Sequence, residues 1–148
     1  MYDIIEVNNR EQLSTYIDLE SLVSFINTEM APFEDSVSAI RKAIDYSLSQ
    51  ETGRGGAILL WLIDTRVVGV VVLNYSGMDE YIPNLFLVYI VVRNDCRGKG
   101  IGKNMLKWVI SHYSESIALH VEYDNPAKLL YEKLGFTTKY AEMRYVRR

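Results

Sequence analysis

The sequence predicts a mixed α/β (α+β) fold in a single domain spanning residues 1–148. Three observations carry this. Strand-like and helix-like runs follow in the order strand, two helices, three strands, helix, strand, helix, strands. Phe86 to Val92 is continuously apolar and rich in β-branched residues, as a strand buried on both faces should be. With 49% hydrophobic residues in 148, the chain can fill one core.

Tyr2 to Val7 is the first strand, and Asn8-Asn9 offers a helix cap with Glu11 and Gln12 in the first turn. Leu13, Ile17, Leu22, Phe25 and Ile26 fall near helical spacing until Pro32 breaks the run. Asp35 or Ser36 caps a second helix with Val37, Ile40, Ala43, Ile44 and Leu48 on one face, ended by Thr52 to Gly56. Ala57 to Ile63 and Arg66 to Asn74 form a hairpin about Asp64-Thr65, with Gly69 marking a kink or bulge. Tyr75 to Asn84 is a loop, Phe86 to Val92 the central strand, Lys103 to Tyr113 a helix and Ser116 to Tyr123 another strand. Asn125 or Asp124 caps a helix with Pro126 in its first turn, which stops at Gly135. Phe136 to Lys139 and Glu142 to Arg147 are expected as two last strands.

The bulk properties narrow the function. A net charge of -3 argues against a nucleic-acid binder and suits a cationic substrate. No apolar run approaches the length of a membrane span, and the N-terminal residues lack a charged-then-apolar leader. One cysteine, Cys96, cannot form an internal disulfide, so the expectation is a reducing cytoplasm. His112 and His120 stand apart, with no ligand-spaced cluster, so no metal is expected.

The most informative stretch is Arg93 to Leu106, RNDCRGKGIGKNML. It lacks the Gly-Lys-Ser/Thr ending of a Walker A loop, and Lys103 stands where a dinucleotide fingerprint needs its third glycine. Glu122 is a weak match to the acid that fingerprint needs downstream. What remains is physical. Gly98, Gly100 and Gly102 let bare N–H groups approach a ligand, and the following helix start adds its own. With the charges of Arg97, Lys99 and Lys103, such a nest suits a diphosphate.

Arg97-Gly98-Lys99-Gly100-Ile101-Gly102 resembles the Arg/Gln-x-x-Gly-x-Gly/Ala signature of the GNAT family of N-acetyltransferases. Asn125 to Phe136, NPAKLLYEKLGF, resembles that family's second signature, in the right order and separated by one helix and one strand. The resemblance covers Phe86 to Phe136. Proline is frequent in the family where this chain has Asn94, a loop-shaping position. The resemblance implies a mixed, mostly antiparallel sheet with splayed central strands flanked by helices. It also implies acetyl-CoA as acetyl donor, with the pyrophosphate on the N–H groups of Gly98, Lys99, Gly100, Ile101, Gly102 and Lys103. The pantetheine arm would lie along Ile90, Val91 and Val92, and a main-chain N–H near Val92 would polarise the thioester carbonyl. Asn125 and Lys128 complete the cofactor-binding set. Tyr131 matches the tyrosine that many members place near the CoA sulfur as an acid.

The acceptor implied is an amine, which must shed a proton before attack. Glu122, at the end of a strand beside the expected cleft, is the candidate base, with Asp79 and Glu80 as others and water as a further carrier. Glu29, Glu34 and Asp35 lie with Phe33 and Tyr81 in segments expected to receive an ammonium group. Tyr89 is a core residue that would line the cleft only as a second role. Cys96 beside the basic loop would have a lowered pKa but lacks a partner for chemistry. A domain that binds acyl-CoA without transfer, as a sensor or interaction module, is the alternative function. Family members often form homodimers; nothing in these residues decides that, and no nucleic-acid or membrane partner is expected.

Overall fold

Four strands, Asp3–Val7 (β1), Gly56–Ile63 (β2), Arg66–Tyr75 (β3) and Leu85–Val92 (β4), pair antiparallel in chain order, and Ile117–Leu119 (β5) joins β4 in parallel. The computed structural model describes residues 2–148. Helices Arg10–Tyr16 (α1), Leu19–Glu29 (α2) and Val37–Ser47 (α3) pack on one face of the sheet; Ile101–His112 (α4) and Ala127–Lys133 (α5) pack on the other. Strand β2 shows why its sequence has no polar alternation. Ile58, Leu60 and Leu62 face the first core, while Ala57, Leu59 and Trp61 face the second. Among the described residues no helix is long and apolar enough to cross a membrane.

Local chemistry sets most boundaries. The Asn9 side chain accepts from the Gln12 N–H at 2.9 Å, and Ser36 accepts from the Ala39 N–H at 3.1 Å. The β2–β3 turn places Asp64 at φ 57, a left-handed conformation that aspartate tolerates. The expected first helix is divided. Asp18 accepts from both the N–H and the hydroxyl of Ser21, at 2.9 and 2.6 Å, so it caps a new helix and three helices precede β2.

Two bulges shape the sheet. Val68 is the extra residue where β3 passes Trp61 and Leu62, beside the Gly69 expected to mark one. Val88 is the extra residue where β4 passes Val72 and Leu73. Before Val88, Leu85 and Leu87 point toward α4; after it, Tyr89 and Val91 point toward α2 and α3, and Ile90 and Val92 toward α4. One inserted residue thus exchanges the faces of the strand's second half.

Two expectations fail. The strand expected over Ser116 to Tyr123 is only Ile117–Leu119, and the two strands expected in Phe136–Lys139 and Glu142–Arg147 are absent. Residues 137–148 are all exposed, including Tyr140, Met143 and Tyr145. Apolar alternation makes a strand only where a neighbouring edge takes up its N–H and C=O groups, and this tail has none.

Candidate active site

The β4–β5 pairing stops after Leu87↔Leu119. Beyond it, β4 runs on for five residues with no strand on that side. The Arg93 N–H donates to the Val68 oxygen on β3 at 2.8 Å. Backbone groups alternate sides along a strand, so Val91 also faces β3, while Ile90 and Val92 turn N–H and C=O into the gap. Val91 therefore differs from Ile90 and Val92: its backbone lies against Val70, and its side chain is buried against the α2–α3 face. The open edge can pair with an extended, amide-bearing molecule.

The glycine loop closes one end of this gap. A 3₁₀ turn, Asn94–Cys96, leads into Gly98 and Gly100, which have φ of 79° and 78°. Gly100 is the N-cap of α4 and supplies no side-chain acceptor; the first helical bond runs from the Asn104 N–H to the Gly100 oxygen. The N–H groups of Ile101, Gly102 and Lys103 are thus the open donors of the first turn, and no acidic residue stands there to take them. Ile101 is 2% exposed and anchors this end of the helix to the sheet. Lys99 and Lys103 are exposed and join none of the ion pairs among the described residues. Open backbone donors flanked by lysines are an arrangement whose chemistry suits an anion.

The glycines are not equivalent. A Cβ at Gly102 would meet only Val92 Cγ2, at an ordinary 3.7 Å, whereas Gly100 has a left-handed backbone. Gly102→Ala should leave thermal stability and anion affinity near wild type, while Gly100→Ala should cost about 1–2 kcal/mol on denaturant unfolding.

Arg97 turns away from the open N–H groups. Its Nε donates to the Val92 oxygen at 3.1 Å, and its Nη2 donates to the Glu29 oxygen and lies 3.6 Å from the Glu29 carboxylate. That carboxylate also accepts from the Asn94 N–H at 2.5 Å. Glu29 and Arg97 tie the end of α2 to the end of β4, so Glu29 is not a free acid for a ligand.

Tyr131 is 8% exposed, with its ring against Phe136 at 5.8 Å. Burial pushes its pKa up to about 12, so the phenol stays protonated through neutral pH. Among the described residues its hydroxyl makes no hydrogen bond, yet no buried side-chain oxygen or nitrogen is left sealed without a partner. The hydroxyl is therefore an accessible donor on a fixed ring. The folded pKa lies above the unfolded value of about 10, so this group's contribution is complete below pH 10 and is lost as pH rises toward 12. Tyr131→Phe should accordingly flatten the fall of Tm between pH 10 and 12.

Asn125 accepts from the Ala127 N–H at 3.0 Å and starts α5, leaving its amide nitrogen unused. Lys128 pairs with Glu132 at 3.3 Å. Glu122 is exposed and lies past the end of β5, in a turn closed by the Asn125 N–H on its carbonyl. It is not at a strand end, because β5 is shorter than expected.

Burial raises the Cys96 thiol pKa, with Asp95 adding to the rise against Lys99 and Arg66. This reverses the expected direction, because the side chain is 5% exposed. His112 stacks on Trp108 and His120 stands edge-on to Phe86, so both are accounted for by packing. Among the described residues no three His, Cys, Asp or Glu side chains gather as a metal site would need. A surface depression of about 1180 Å³ lies beside α3 and is lined by the Arg10–Asp45 ion pair rather than by the glycine loop. Sequence reasoning missed one contact at the gap: the Tyr89 hydroxyl donates to Asp35 Oδ2 at 2.7 Å across 54 residues.

The model of the acetyltransferase (GNAT) family matches residues 20–136. Over 95 residues the chain is 30% identical to the mycothiol acetyltransferase of Corynebacterium glutamicum (strain R), a stretch covering 57% of this chain and 32% of that protein. The chain thus matches about a third of that curated relative's length. A solved structure of a possible acetyltransferase from Clostridium difficile 630 superposes with a TM-score of 0.67 at 18% identity, over 98% of this chain and 97% of that one. The aminoglycoside N-acetyltransferase AAC(6')-Iy in complex with CoA gives 0.64 at 15% identity, over 100% and 97%. These two likenesses are of fold.

Proposed function

This chain belongs to the acetyltransferase (GNAT) family, and from that premise we propose that it moves an acetyl group from acetyl-CoA to a primary amine. The observation that carries the proposal is the meeting of two unfilled backbone surfaces. The α4 start has open N–H groups and no acidic cap, and the β4 edge beyond Leu87 has no strand partner. The first fits a diphosphate and the second fits an amide-bearing arm, which are the two recognition features of CoA.

When bound, acetyl-CoA supplies an activated thioester whose carbonyl carbon is open to an amine and whose sulfur leaves as a thiolate. The chain's own groups then divide the work. Ile101, Gly102 and Lys103 hold the anionic end by their N–H groups, with Lys99 and Lys103 adding charge. Ile90 and Val92 align the arm, and the Val92 N–H is the donor for charge on the reacting carbonyl oxygen. Tyr131 keeps a proton on its hydroxyl for the departing sulfur. Asn125 has an amide nitrogen to offer the arm, and Lys128, paired with Glu132, adds a positive charge at the start of α5. Glu122 is the candidate base, removing the amine's proton from the exposed turn past β5.

Titration of the protein with acetyl-CoA and with CoA by calorimetry tests the binding. Thiol release with a panel of amines (glucosamine, kanamycin, spermidine and a lysine tripeptide) tests the transfer. Micromolar binding lost in Gly100→Asp, with amine-dependent thiol release, is the expected result. Binding without release for every amine would favour a non-catalytic acyl-CoA sensor, and absence of binding would refute the reading.

A further inference from the structure

We propose that Asp35, held by Tyr89, is the carboxylate that receives the ammonium group of the acceptor amine. This rests on the acetyltransferase reading above and assigns the acceptor end of the same gap. Val88 and Tyr89 follow the last β4–β5 pair and both face α2 and α3; Tyr89 is the first of them to carry a polar group, and the Val88 bulge turns it there. The glycine loop and the α4 start lie toward the opposite core. A donor gripped by that loop fills the gap from the α4 side, which leaves the α2–α3 side as the approach for an amine.

Asp35 stands on that side with its position fixed twice. The Asn27 amide donates to its carbonyl at 3.0 Å, and the 4%-exposed Tyr89 donates its hydroxyl to Oδ2 at 2.7 Å. Its backbone is further fixed by the following residue, Ser36, which caps α3. One carboxylate oxygen is left for a ligand, the residue is exposed, and none of the ion pairs among the described residues involves it. Arg144 of the tail feels its charge but is paired with Glu142. Of the neighbouring acids, Glu29 is committed to Arg97 and the Asn94 N–H. A carboxylate oriented by a buried phenol, with one oxygen free, favours a cationic head group over a neutral one, because a charge-assisted hydrogen bond is the stronger. Asp35 is therefore a specificity residue and Tyr89 a positioning residue. The amine keeps its charge while it binds Asp35 and gives up its proton only on advancing to the thioester.

The test is steady-state kinetics with the panel amine that gives the fastest thiol release, for wild type, Asp35→Asn, Asp35→Glu and Tyr89→Phe, beside acetyl-CoA calorimetry on each. Asp35→Asn should raise the amine KM about tenfold to a hundredfold, with kcat within a few-fold and acetyl-CoA affinity unchanged. Tyr89→Phe should raise the same KM by a smaller factor, and Asp35→Glu should recover part of the loss. An unchanged amine KM in Asp35→Asn would overturn the inference while leaving the acetyltransferase reading intact, as would a parallel loss of acetyl-CoA affinity. Wild-type protein that binds acetyl-CoA but releases thiol with no amine of the panel would also overturn it. Failure to bind acetyl-CoA at all would remove the reading on which it rests.

Discussion

Tyr131→Phe should lower kcat by about 10²-fold with little change in acetyl-CoA affinity or Tm at neutral pH. The magnitude follows from removing one donor aimed at a group that becomes negative during the reaction. The expected selectivity follows from the structure. The ring is buried against Phe136 and packs with the α4-side core, so phenylalanine keeps the packing. Among the described residues the hydroxyl makes no hydrogen bond, so its loss strands none of their groups. Stopped-flow and steady-state thiol release, with calorimetry for affinity, check the three parts separately. A kcat within about twofold of wild type would remove Tyr131 from the chemistry. A large fall in Tm would mean that the residue acts through packing instead.

Gly56→Ala should be the most destabilising of these substitutions, by about 3 kcal/mol or more on urea unfolding. A Cβ at Gly56 would lie 1.9 Å from the Leu73 carbonyl oxygen, 2.8 Å from its carbon and 3.0 Å from the Asn74 Cα. All three are backbone atoms of the paired strand, so no side chain can rotate away. The same carbonyl accepts from the buried Ser47 hydroxyl at 3.1 Å, which ties that part of β3 to α3. Relief therefore requires the β2–β3 ladder to separate at its end. Gly53→Ala is the contrast. Its φ is +84° but nothing lies within 4 Å, so only backbone strain of about 1 kcal/mol is expected. Equal effects at the two positions would show that strand contact is not what selects glycine at position 56.

Features legible in the sequence were those decided within a few residues. Asn9 and Ser36 each cap the helix they precede, because a side-chain oxygen needs only the N–H group three positions on; the N-cap of α5 is instead Pro126, and Asn125, one residue earlier, accepts from the Ala127 N–H. The hairpin at Asp64-Thr65 and the glycine-rich approach to α4 are local in the same way. Both family signatures fall in that class, which is why the family could be expected from residues 97–136 before any contact was known. Asp18 is an exception: it caps α2 from within an apolar period that reads as continuous across it, so the break between α1 and α2 shows only in the structure.

Tertiary structure alone decided the rest. The gap exists because β5 pairs with only Leu85, Phe86 and Leu87, a length set by where two strands separated by a helix part company. The Val88 bulge appears only when β4 is laid against β3, and it turns Tyr89 toward Asp35. Arg97 faces Glu29 for the same kind of reason, and the alternating tail after Phe136 stays irregular because no edge receives it. Sequence carried the groups able to bind an anion and donate a proton. Where the β4 edge opens, and which side chains face it, depends on pairing and packing between segments far apart in the chain, where no local periodicity records the partner.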